Sequence, residues 1–290
     1  MSNFLQQGLT MDAKIRYLWV EADEIAELAR LKHNLLRGAL FHCTEAIVSS
    51  LLLSSHIKGD ERLTLQLKSE APAFTFICDI KSGETTETPK IKLRAKITPP
   101  NFSLEDNANL HGYLFISKHN KRRELYRGIT EIQNERIQSG LHQYFKNSGQ
   151  IDSLIRISIM LSENGEIQRA SGFLVERLPE SPYSPSATPE EFYEAYQSLS
   201  EISDSSFRRE LDKKKVCGYE LFPLETTVLN WECKCSQEKI ESMLISLGQH
   251  EIKDILDTLG EASITCEFCS TQYHCNQERL QFLLSHFEEN

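Results

Sequence analysis

The sequence predicts an α+β fold: an N-terminal antiparallel-sheet domain with flanking helices, then a helical linker and a small C-terminal domain. Three observations predict it. From Leu63 to Ile97, stretches of apolar residues recur at every second position, the period of half-buried strands. Ser181 to Pro189 then holds three prolines and three serines in nine residues, the composition of a domain boundary. Beyond it, four cysteines fall into two close pairs, Cys233-Lys234-Cys235 and Cys266-Glu267-Phe268-Cys269. Two such pairs on separate loops are what a tetrahedral structural zinc site requires. The expected domains are therefore residues 1–180, the linker 181–228 and the zinc-binding domain 229–290.

The elements follow in order. Met11 to Trp19 reads as a first strand. Glu21 to Lys32 reads as an amphipathic helix, with Ile25, Leu28 and Ala29 at helical spacing and acids in the first turn. Gly38 to Lys58 reads as a longer, buried helix. After Gly59-Asp60 the period changes to two. Leu63, Leu65 and Leu67 alternate with Thr64, Gln66 and Lys68, and Phe74–Ile80, Lys90–Ile97 and Gly112–Ser117 continue as strands. Glu131 to Lys146 returns to helical spacing through Ile132, Ile137 and Leu141. Leu154–Leu161 and Ile167–Leu178 are predicted to form a hairpin about a two-residue turn at Asn164-Gly165. In the linker, Thr188-Pro189-Glu190-Glu191 is a helix start, with Thr as N-cap and Glu as its capping-box partner. Phe192, Ala195-Tyr196 and Leu199 make its apolar stripe, and a second helix is expected over Ser205–Lys215.

Composition narrows the function classes. A chain of 290 residues can bury a sizeable core. Met1 to Thr10 has no basic segment followed by an apolar one, so no secretory signal is read there. The longest apolar run, Ala46 to Leu53, is too short to span a bilayer. Reduced thiols without an export signal predict the cytoplasm. A net charge of −10 counts against nucleic acid as a partner. The sequence carries no phosphate-binding glycine loop and no Gly-x-Ser-x-Gly elbow, so no catalytic residue is assigned and a non-enzymatic role is expected.

The zinc ligands expected are Cys233, Cys235, Cys266 and Cys269. His274 and Cys275 stand nearby as substitute ligands that a fully supplied site does not need. Cys43 and Cys217 read as structural. The stretches Trp231-Glu232-Cys233-Lys234-Cys235-Ser236 and Ile264-Thr265-Cys266-Glu267-Phe268-Cys269, with Leu247-Gly248 and Ile252-Lys253-Asp254-Ile255-Leu256 between them, resemble the C-terminal domain of the 33 kDa chaperonin family, the redox-regulated heat-shock holdases. The resemblance extends to Leu63-Thr64-Leu65-Gln66, to Tyr144–Gln150 and to Ser171–Pro179. It departs at Ser69-Glu70-Ala71-Pro72-Ala73, where the family has a Gly-Gly-Pro-Leu type of stretch. It departs again at Leu93-Arg94-Ala95, which stands for an Arg-Gly, and at Ser171-Gly172, where two glycines are common.

The resemblance implies an ATP-independent chaperone for unfolded client proteins, with one zinc ion in the reduced state. It also implies a metastable linker that unfolds on oxidation, a reduced monomer, and a homodimer as an oxidised form. No membrane and no nucleic-acid partner is expected. The thiol chemistry is consistent with this. Metal-held thiolates remain nucleophiles. A sulfenic acid is best resolved by its nearest thiol, which predicts the redox disulfides Cys233–Cys235 and Cys266–Cys269. A purely structural zinc, a constitutive chaperone, a thiol–disulfide oxidoreductase and a nucleic-acid-binding zinc ribbon remain the alternatives.

Overall fold

A computed structural model describes residues 3–83, 90–100, 102–106, 108–149, 152–180, 186–201, 215–216 and 219–287. The chain divides into two compact units, Met1–Trp231 and Glu232–Asn290.

In the first unit, the alternating segments become strands. They are β1 (Asn3–Thr10), β2 (Ile15–Ala22), β3 (Arg62–Ala71), β4 (Ala73–Gly83), β5 (Lys90–Thr98), β6 (Leu110–His119), β7 (Glu124–Glu135), β8 (Ser153–Leu161) and β9 (Ile167–Arg177). A two-residue strand β10 (Lys215–Val216) and a long strand β11 (Tyr219–Trp231) complete them. The sheet runs in the order β7-β6-β3-β4-β5-β11-β1-β2-β9-β8, with β10 paired to β11. Neighbours are antiparallel except for β11 and β5, which are parallel.

One face of this sheet packs against α1 (Asp23–His33), α2 (Arg37–Leu53) and α3 (Ile137–Tyr144). The inward positions of β3 to β5 fill that core: Leu63, Leu65, Leu67, Phe76, Cys78 and Leu93 are at most 1 % exposed. Helix α2 is buried from Gly38 to Leu53. With the turn that follows, it is long and apolar enough to cross a membrane, yet 94 % of that apolar window lies inside the fold. It is the central helix of the core. Its buried acid is paired: Glu45 accepts from Arg136 Nε at 3.0 Å and from the Gln138 backbone N–H at 3.2 Å.

The opposite face carries a second cluster of Tyr17, Trp19, Phe173, Val175 and Leu221, joined by Ala187 and Phe192. Phe192 belongs to α4 (Pro189–Glu201). The expected capping box is present. Glu191 N–H donates to Thr188 Oγ1 at 3.1 Å, and Thr188 N–H donates to Glu191 Oε2 at 2.8 Å. Lys14 Nζ reaches the same carboxylate at 3.0 Å. The side chains of Ala195, Tyr196 and Leu199 lie outside the described residues, as does the predicted helix Ser205–Lys215 up to residue 214.

Four local readings are corrected. The first predicted strand starts at Ile15, because residues 11–14 form a turn in which Ala13 N–H donates to Thr10 O. The predicted helix Glu131–Lys146 begins only at Ile137. Residues 131–135 finish β7, where Gly128, Thr130 and Ile132 face inward at a period of two. The hairpin turn between β8 and β9 has three residues, not two. Ser162 N–H donates to Glu166 O, Gly165 N–H donates to Ser162 O, and Gly165 takes a φ of 76°. That is a type I turn closed by a left-handed glycine. Finally, β1 and β11 are strands that the periodicity does not predict, and they pair with each other inside the sheet.

The second unit is built around a small hairpin. Helices α5 (Gln237–Leu247), α6 (Gln249–Thr258) and α7 (Gln277–Ser285) pack with strands β12 (Ala262–Thr265) and β13 (Gln272–Cys275). Its core is Leu244, Ile252, Cys275, Leu280 and Leu283. An Arg279–Glu241 pair braces α7 against α5, with Nε to Oε1 at 2.7 Å.

Candidate metal centre

Two short segments carry the four cysteines. Cys233 and Cys235 lie in the extended stretch before α5, whose N-cap Ser236 accepts from Lys239 N–H. That cap fixes where the extended stretch stops and the helix begins. Cys266 and Cys269 sit at the tip of the β12–β13 hairpin. The tip is closed by Cys266 N–H to Thr271 O at 2.9 Å and Ser270 N–H to Cys266 O at 2.8 Å. Ser270 takes a φ of 58° to make the reversal.

These segments bring the four sulfurs within 4.8 Å of one another. Cys233 Sγ lies 3.7 Å from Cys266 Sγ, and Cys235 Sγ lies 3.2 Å from Cys269 Sγ. All four cysteines are half-buried thiols with no disulfide among them. The structure thus brings together every sequence-predicted ligand. His274 is exposed, and Cys275 is buried in the core of the unit, where it accepts from Gln237 Nε2 at 3.3 Å. Neither joins the cluster. Cys43 and Cys78 are fully buried in the first unit, and burial raises both thiols, Cys78 to about 12. Cys217 lies outside the described residues.

Burial pushes the Cys233 thiol up to about 12, and burial also raises Cys266. Cys269 is the exception. Burial opposes its ionisation too, but hydrogen bonding with the Thr271 hydroxyl and backbone brings it down to about 7. Four sulfurs this close cannot all ionise without a cation between them, because like charges in a shared site repel. A bound divalent cation removes that conflict and lets each sulfur act as a thiolate ligand.

Two hydroxyls to which the sequence assigns no role complete the site. The Tyr273 hydroxyl donates to Cys235 Sγ at 3.0 Å, and Thr271 flanks Cys269. Both lie where the chain returns from the tip into β13. Their placement just past a cysteine-bearing turn is the signal that could have found them. Such outer partners orient ligands and tune them.

The chain is similar to known proteins along nearly its whole length. Residues 3–276 match the family described as Hsp33 protein. The 33 kDa chaperonin of Desulfotalea psychrophila is 28 % identical over 298 residues, covering 98 % of this chain and 98 % of that protein. The 33 kDa chaperonin of Geobacillus sp. is 25 % identical over 294 residues, covering 98 % of this chain and 97 % of that one. The crystal structure of the 33 kDa chaperonin (heat shock protein 33 homolog) from Thermotoga maritima superposes with a TM-score of 0.83 at 21 % identity, over 100 % of both chains.

Proposed function

The chain belongs to the Hsp33 protein family, and from that premise we propose that it is an oxidation-activated, ATP-independent holdase whose switch is a zinc ion held by Cys233, Cys235, Cys266 and Cys269. The observation that carries the reading is the four-sulfur cluster. Sulfurs about 2.3 Å from a shared zinc stand about 3.8 Å apart in a tetrahedron. The two close edges of 3.2 and 3.7 Å and the outer limit of 4.8 Å bracket that spacing. An all-thiolate set also favours a soft or borderline ion over magnesium or calcium. Bound zinc supplies charge that keeps the thiols deprotonated and stability that the unit needs. A unit this small, with five side chains in its described buried core, depends on such a staple.

The cysteines then do the chemistry. A thiolate of one sequence-adjacent pair, Cys233 with Cys235 or Cys266 with Cys269, attacks a peroxide; the O–O bond breaks, and the sulfur becomes a sulfenic acid as hydroxide leaves. The second thiolate of the pair attacks that sulfur, expels a second hydroxide and forms the disulfide. Each pair gives up two electrons to one peroxide, so Cys233–Cys235 and Cys266–Cys269 consume two. Sulfurs tied up in disulfides no longer hold a cation. Losing the ligands forfeits binding free energy on the order of 10 kcal/mol, and the unit unfolds.

Activation follows from loss of this unit and of the linker, residues 181–228. Among the described side chains there, Ala187, Phe192 of α4 and Leu221 of β11 are seated in the second cluster, and a helix of the length of α4 has little stability alone. Its release bares Tyr17, Trp19, Phe173 and Val175, an apolar surface for unfolding cytoplasmic clients and for a second oxidised copy. The test is light scattering by a thermally unfolding client without ATP. Peroxide-treated protein suppresses scattering and reduced protein does not. Equal protection by both forms contradicts the switch and makes the protein a constitutive chaperone.

A further inference from the structure

The net charge of −10 hides an uneven distribution. Residues 232–290 alone carry four Lys/Arg against eleven Asp/Glu, so the first unit is close to balanced. Within it, cations collect on one part of the sheet. Residues opposite each other in register share a face. Lys92 stands opposite Lys81, Lys81 opposite Arg62, and Arg62 opposite His119. One row across β5, β4, β3 and β6 is therefore cationic or titratable throughout. Like charges directly opposite one another weaken a sheet.

The neighbouring rows continue the pattern. Arg94, tied to Asp79 at 2.7 Å, is followed across the sheet by Thr64, Ser117 and Arg127. Lys96 leads to Ile77, Gln66 and Phe115. Lys68 lies beside Tyr113. Arg62 and Lys68 are exposed, and Tyr113 and Phe115 are half-buried with ring centroids 6.4 Å apart. Among the described residues, the acids of this face are paired or lie at its margin. Asp79 is held by Arg94 and Glu124 by Arg127, Glu70 lies 3.6 Å from His111, and Glu131 stands on the edge strand opposite Tyr113.

We infer that this face of β5-β4-β3-β6 binds single-stranded RNA. The cations meet phosphates, and Tyr113 with Phe115 offers two rings for bases to stack on. A polyanion without bases would use the cations alone; the aromatic pair among them favours nucleic acid, and unpaired bases are what a flat sheet with aromatic side chains can reach. Four strands spaced about 4.8 Å apart span the length of a few nucleotides. This inference does not rest on the redox reading and uses none of the switch residues.

The test is fluorescence anisotropy of a labelled mixed-sequence RNA of about 12 nucleotides, a length within single-strand site sizes, with the reduced full chain. Binding is expected, weakening with salt at a log–log slope of about −0.7 per phosphate neutralised. Arg62→Ser with Lys68→Ser shrinks that slope by about 1.4. Phe115→Leu lowers affinity at least about fivefold at every salt concentration, and Tyr113→Leu repeats the reading should the Phe115 variant fold poorly. Absence of binding overturns the inference. So does equal competition by polyglutamate or duplex RNA, which would make the face an unselective anion surface, or binding unchanged in both cation and aromatic variants.

Discussion

Tyr273 shows how one hydroxyl bears on the metal centre. Its hydrogen bond to Cys235 Sγ at 3.0 Å stabilises negative charge on that sulfur and fixes its direction. Tyr273→Phe should lower zinc affinity about tenfold, the low end for loss of an outer partner, as read by competition with a chromogenic chelator; unchanged affinity would make the contact incidental. In the first unit, His42 is buried in α2 near Arg136, with Glu45 Oε2 at 4.0 Å and Glu105 and Asp106 also close. Burial first, and Arg136 second, push it down to about 4. An unfolded histidine titrates near 6.5, so between those values the unfolded chain holds a proton that the folded chain does not. Stability should fall as pH drops through this window, by up to about 1.4 kcal/mol per pH unit from this residue. Denaturant titrations of the His42→Phe variant should show a shallower fall, and an identical fall would clear His42. The four cysteines are legible in the sequence because their spacing is itself the chemistry. Tyr273 and Thr271 are not, since a hydroxyl acquires its role only when β13 folds back beside the cysteines.

Among the elements, the strands with clean alternation are readable and the compromised ones are not. In β3 to β6, one face meets α2 and the core while the other is mostly polar, so the period of two is written plainly. Strand β11 carries Phe222 and Leu224 exposed and Pro223 within it, which hides the pattern. Pro223 is accommodated opposite Gly8, where the register of β1 and β11 shifts, a tolerated place for proline in a sheet. Ile132 misleads because it falls at helical spacing from the residues of α3 while facing inward from β7. The glycine of Ser171-Gly172 has an element-scale reason. A Cβ on Gly172 would lie 2.4 Å from Val48 Cγ1 and 3.2 Å from Leu52 Cδ1, so β9 can approach α2 only without one. Gly172→Ala should destabilise the first unit by about 1–3 kcal/mol, the usual cost of overpacking. A denaturation midpoint equal to that of the parent protein would show that α2 gives way freely.

For the molecule as a whole, the two units divide the work. The first holds a large core, a second apolar cluster on the opposite face and the basic sheet surface; the second holds a small core and the four thiols. Fold class is legible because both halves announce themselves, one by strand periodicity and one by cysteine spacing. The position of β11 is not, because pairing between residues 4–10 and 221–228 is a long-range event that no local window contains. The central claim is that oxidation of the thiol cluster, and the metal loss that follows, turns on client binding. The most direct measurement titrates the reduced, zinc-loaded protein with peroxide and follows released zinc and client protection in the same samples. Two peroxides per chain should release the zinc, and protection should rise along the same curve. Protection that is complete before any zinc leaves, or zinc released without protection, would contradict the account.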